Sequence, residues 1–172
     1  MSDSRKLKPG NLWEYDTSLA VHSEKGKKYK RNEDEVSNRI CTALRCDAGQ
    51  FGLDTAHSDR IFFRDGACKC IAEIKSRNMS LLELKQFGTY LISNSKLAYG
   101  EELSRMTGIP FYLFVKLIPD NLIVYWNIFN RHGTALFHYD TDVTTTPETC
   151  EGGRVERANS FLPLYSMFQL KE

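Results

Sequence analysis

No run of apolar residues in this chain approaches the roughly 18 needed to cross a membrane, and the opening MSDSRKLKPG lacks the apolar core of a secretory signal. Both absences lead to the expectation of an intracellular protein with no membrane partner. Cysteine is scarce and odd in number: five residues, at 41, 46, 68, 70 and 150, form no C-x-x-C pair and no disulfide framework, and their spacing does not suit a four-cysteine iron–sulfur cluster. His22, His57, His132 and His138 are scattered without ligand spacing to cysteine, which argues against a zinc site. Glycine-rich phosphate loops, internal repeats and low-complexity tracts are all missing. Charge of one sign is missing too, since 23 Lys and Arg against 22 Asp and Glu leave a net +1. The chain therefore does not coat a polyanion by bulk charge, and any partner must be chosen by a local site.

What is present is enough for one domain with a sizeable core: 172 residues, 41% hydrophobic and 26% charged. Residues 1–22 lack periodicity and read as a lead-in, with Trp13 and Tyr15 as candidates to pack on a domain spanning 23–172. The run SEKGKKYKR gathers Lys25, Lys27, Lys28 and Lys30 ahead of a helix, either as a solvated entrance or as a phosphate-contacting patch. From Asn32, a credible N-cap, the positions of Val36, Ile40, Ala43 and Leu44 predict a helix. Glu33 would lie at the edge of its apolar face, as a partner of the helix dipole or as a site residue, and Glu35 points away.

A Gly-containing connection over 48–58 leads to RIFF and ACKCIAEIK, two strands around Arg64-Asp65-Gly66. Helices are predicted at 79–94 and 97–107, the second stopped by Gly108 and Pro110. FYLFVKLI and LIVYWNIF form a second hairpin around Pro119-Asp120-Asn121, with Tyr125 and Trp126 read as core and edge residues. TALFHYD suggests a short strand, TDVTTTPETCEGGRVERAN a polar loop, and FLPLYSMFQL an apolar tail returning to the core. The order predicts an α/β domain with a central mixed sheet flanked by helices.

The chemistry concentrates in CIAEIKSRN, residues 70–78. In a strand, Glu73 and Lys75 share a face, while Cys68, Cys70, Ala72 and Ile74 line the other. The simple alternative is a strand end carrying an ordinary ion pair. Asp59 stands just before the RIFF strand, and an odd hairpin loop, preferred here because it also pairs Ile61 near Ile71, would set it on the Glu73 face. A two-residue Asp-Gly loop, also common, would turn it to the opposite face. Two carboxylates held together repel, and must take up a proton or share a cation. Oxygen donors at that density suit magnesium, and a lysine beside them can orient an attacking water and stabilise charge on a phosphate.

Asp59, thirteen residues, then Glu73-Ile74-Lys75 resembles the D…E-x-K core of the PD-(D/E)XK nuclease superfamily, with Ser58 standing where the signature has proline. Glu33, 26 positions before Asp59, resembles the additional acid many members supply from the first helix, with Glu35 as the alternative. Gln86-Phe87-Gly88-Thr89-Tyr90 resembles the Q-x-x-x-Y motif of the RecB-like and phage-exonuclease branch, there carried on the helix after E-x-K. The resemblance covers about residues 24 to 128. It implies a restriction-endonuclease-like fold and a nuclease acting on DNA, with RNA open and self-association plausible. It further implies Mg2+, or Mn2+ in its place, held by Asp59, Glu73, the Ile74 carbonyl and Glu33. Lys75 would position the water, Gln86 would hold Lys75 or the phosphate, and Tyr90 would touch substrate or brace the site. For Gln86 and Tyr90 the competing reading is an amphipathic helix with Phe87, Tyr90 and Leu91 facing the core.

Overall fold

Strands that are apolar almost end to end suit the middle of a sheet, where both faces are covered. FYLFVKL and LIVYWNIF are the two longest such runs, and they occupy that position. A computed structural model describes residues 24–50, 58–147 and 154–171. The lead-in at 1–22 lies outside them. A six-stranded sheet contains β1 (Asp47–Gln50), β2 (Arg60–Arg64), β3 (Ala67–Arg77), β5 (Phe111–Leu117), β6 (Leu122–Phe129) and β9 (Phe168–Gln169), in that spatial order. β3 and β5 run parallel and every other pair is antiparallel, so the sheet is mixed as expected.

Helix α1 (Glu24–Leu44) covers one face, burying Val36 and Ile40 against Phe62, Ala72, Ile74, Phe114 and Ile123. A parallel β3–β5 pair needs a crossover connection. Here the crossover holds α2 (Leu81–Phe87), β4 (Thr89–Ser93) and α3 (Asn94–Thr107), which cover the other face. β4 also belongs to a second sheet with β8 (Arg154–Pro163) and β7 (Asp140–Pro147), in the order β4-β8-β7. Their core joins Ile71, Leu113, Val115 and Trp126 to Leu84, Tyr90, Ile92, Leu97 and Leu162. Among the described residues, the result is one α/β domain of three α-helices on a mixed central sheet.

The structure corrects several expectations. α1 begins at Glu24, so Asn32 is an interior residue rather than a cap, and Glu33 sits in the third turn, beyond the reach of the helix dipole. The helix expected over 79–94 stops at Gly88, a left-handed C-cap with φ 76°, after a Ser80–Glu83 capping box has started it. Residues 89–93 are a strand. TALFHYD is not a strand of its own: it contributes a bridge from Ala135 to Phe129 and, at Asp140, the first residue of β7. The segment read as a polar loop instead supplies β7 and much of β8. The apolar tail returns as expected, burying Leu162 and Leu170.

The hairpin before the site uses the two-residue turn rather than the preferred odd loop: Arg64 pairs with Ala67 across Asp65 and Gly66, both at positive φ. Register is rescued by a bulge. Phe63 pairs with Cys68 but Phe62 with Cys70, leaving Lys69 as the extra residue, so Ile61 meets Ile71 and Arg60 meets Ala72. The next level sets Asp59 beside Glu73. The bulge also exposes Cys68, which was expected to lie buried in line with Cys70.

Candidate active site

Asp59 lies just before β2, and its own N–H donates to the Ala72 carbonyl at 3.1 Å. Its Oδ2 accepts the Ile74 N–H at 2.6 Å, so one bond ties its backbone to β3 and a second its carboxylate. Arg60, itself buried, donates to the Asp59 carbonyl at 2.9 Å and pairs with Asp34 on α1. That clamp ties the acid to the helix that carries Glu33.

Glu73 is completely buried. Its Oε1 lies 2.5 Å from Lys75 Nζ and 3.0 Å from Lys96 Nζ, and Lys96 also donates to Oε2 at 3.1 Å. Lys75 Nζ is 3.9 Å from Asp59 Oδ2, so one ammonium stands between the two carboxylates. Burial alone would favour a neutral amine at Lys75, yet Glu73 and Asp59 outweigh it and raise the pKa. Lys75 is thus held firmly as a cation. Burial and then the Glu73 charge raise the Asp59 pKa, against the pull of Lys75 and the Ile74 N–H.

Glu33 is pushed up to about 7, by burial first and then by Asp59, with Lys75 and Arg60 opposing. It shares the field of the site. Glu35 does not, because it pairs with Lys116 and lies 4.0 Å from Arg39. Of the two acids, Glu33 is the one coupled to Asp59 and Lys75.

Glu33, Lys75 and Lys96 line a cleft of about 1010 Å³, bounded also by Tyr29 and Asn32 of α1, the end of β3, and residues of β4, β7 and β8. Asp59 and Glu73 are not among its lining residues and meet it through Lys75. Tyr90 lies in the cleft wall, packed at a tilt against Trp126 with a 5.3 Å centroid separation and covered by Arg77, whose guanidinium carbon is 5.9 Å from the ring centre. Gln86 is exposed on α2 and is not among the lining residues. The two do not share a helix face as expected, because Gly88 ends the helix between them. Of the lysine run, Lys27 pairs with Glu24 at 3.1 Å and Lys28 is exposed, both within the first turns of α1 rather than ahead of it. The side chain of Lys25 lies outside the described residues. Ile74 turns its side chain to the α1 core while its backbone serves Asp59.

The sequence reading missed Lys96 and Arg60. Lys96 is the third residue of α3, where a cation opposes the helix dipole, and that unfavourable placement was the available signal.

The donor set can be weighed against a divalent cation. Among the described residues, no three acidic, histidine or cysteine side chains gather into a ready cage. Magnesium does not require one: it binds through one or two carboxylates and keeps several waters. Glu73 Oε1 is buried and makes no directed hydrogen bond, although two ammonium groups crowd it. Lys75 occupies the space a cation would share between the acids. The fit is to a hard, partly hydrated ion.

An α/β domain whose mixed sheet carries an acid and an E-x-K on neighbouring strands has the architecture of the PD-(D/E)XK nucleases. The family described as "Phage putative PDDEXK endonuclease" matches residues 24–161, and the chain belongs to it. Comparison with curated proteins and with solved structures finds no match.

Proposed function

We propose that the chain hydrolyses phosphodiester bonds of DNA with a divalent metal, magnesium or manganese. The observation that carries this reading is the convergence of Asp59 and Glu73 on Lys75, which lines the cleft, with Glu73 fully buried against two lysines. A charge so deeply desolvated is costly unless its site uses it. Asp59 and Glu73 would hold the metal, with Glu33 reaching it directly or through water. The bound ion supplies Lewis acidity toward the phosphate oxygens. Lys75, fixed as an ammonium, orients the attacking water and stabilises charge building on phosphorus. Lys96 keeps the Glu73 carboxylate in place when Lys75 turns to substrate.

Magnesium calorimetry beside a cleavage assay on linear and circular DNA tests this. Glu73→Gln should lose divalent binding and at least about 10²-fold in turnover. Lys75→Ala should keep metal binding while the chemical step slows by about 10²-fold. Undiminished cleavage by Glu73→Gln at equal magnesium would dismiss the site. A parent that binds DNA but never cuts it with any metal would make the domain a binding module.

A further inference from the structure

Two aromatic side chains border the cleft in the open: Phe87, at the end of α2, is 68% exposed, and Tyr29, on α1, is 42% exposed. Neither is needed by the core. The same cleft is lined by Arg77 on β3 and Arg157 on β8, and neither guanidinium has a carboxylate partner among the described residues. Arg77 is held above Tyr90, so its direction is set before any ligand arrives. Lys75 and Lys96 are already matched by Glu73 and Asp59, which leaves the two arginines, against Glu33 alone, as the surplus positive charge facing the cleft.

Exposed rings beside unpaired guanidinium groups bind a particular chemistry. Stacked duplex bases offer only their edges, in the grooves. Aromatic side chains can reach base faces only where a strand is unpaired, and there each stacked base contributes substantially to affinity. The cleft volume of about 1010 Å³ has room for a few nucleotides of one strand, not for a duplex.

Resting on the nuclease reading, we propose that the cleft takes an unpaired segment of nucleic acid. Arg77 and Arg157 hold its phosphates, and Phe87 and Tyr29 stack on its bases beside the carboxylates. Flaps, frayed ends and single strands are then the substrate class, and a fully paired duplex enters only where it opens.

Binding in chelator, where nothing is cut, tests this independently of catalysis. The probe is an oligonucleotide carrying 2-aminopurine, offered as a single strand, as the same sequence in duplex, and as the ribose counterpart. The single strand should bind more tightly than the duplex, with the fluorophore quenched. Phe87→Ala and Tyr29→Ala should each weaken single-strand binding by about fivefold to a hundredfold and change duplex binding less than twofold. Arg77→Ala and Arg157→Ala should each reduce the salt slope by about 0.7. Equal affinity for duplex and single strand, or aromatic variants that bind the single strand like the parent, would overturn the proposal even if duplex DNA is cut. Aromatic-dependent single-strand binding by a chain that never cleaves would uphold it and remove the nuclease reading instead. The ribose arm decides whether the sugar is read.

Discussion

The two sheets of this molecule meet at the cleft on different terms. In the six-stranded sheet the interior strands are buried on both faces: Leu113, Val115 and Trp126 have no exposed surface, and Glu73 sits among them. In the three-stranded sheet, β7 is exposed for most of its length, with Val143 in open solvent, and burial sets in only across the sheet, at Asn159, Ser160 and Leu162 of β8 and at Tyr90 and Ile92 of β4. One sheet cannot shift a residue without disturbing the core. The other can change side chains on its open strand at little cost. The acids stand on the first, and Arg157 and Phe161 reach the cleft from the second. Such a division keeps reacting groups in fixed geometry while leaving substrate contacts adjustable.

The contrast breaks first where the large sheet is tightest. A Cβ at Gly100 on α3 would lie 2.6 Å from the Phe111 ring, and Phe111 is walled in at the start of β5. Gly100→Ala should cost about 1–3 kcal/mol and lower Tm by several degrees in thermal unfolding. An unchanged Tm would mean that this side of the sheet is loosely packed.

A smaller effect follows from Glu33. Its folded pKa of about 7 lies above the ordinary 4.5, so between these values the native state holds a proton that the unfolded chain has released. Stability should therefore fall as pH rises from about 4.5 to about 7 in metal-free buffer, then level off. Asp59 shifts in the same direction and adds the same sign. Tm measured from pH 4.5 to 8 should decline less steeply in Glu33→Gln than in the parent. A parent Tm that climbs over this range would contradict the burial of these acids.

Smallest of all is Val143→Ser on β7. With the side chain in solvent, stability should stay within about 0.5 kcal/mol of the parent in denaturant titration. A larger loss would show that β7 is covered by something in solution.

The same contrast explains what could be read from the sequence. β3, β5 and β6 announce themselves because strands covered on both faces are apolar runs, and Glu73 and Lys75 interrupt the run of β3 while Asp59 stands just before β2. β7 and β8 hide because an open antiparallel pair needs little apolar surface, so TDVTTTP and RVERANS look like loop. β4 hides because TYLIS is five residues between helices, and only Gly88 marks the break. The start of α1 hides because its lysine-rich turns carry no apolar periodicity. Lys96 and Arg60 belong to no local pattern, since their partners Glu73 and Asp34 are 23 and 26 residues away and only the fold joins them.

The Lys69 bulge gives the hairpin a parity, much as codons give a message a frame. Thirteen residues separate Asp59 from Glu73, an odd count, while a two-residue turn between regular strands demands an even one. The single supernumerary residue reconciles them. In a lineage accumulating small insertions and deletions, most one-residue events in this hairpin would carry Asp59 out of step with Glu73. Loss of Lys69 itself would leave the two acids level on a regular ladder, so the position most irregular in structure is the one whose deletion heredity could best absorb.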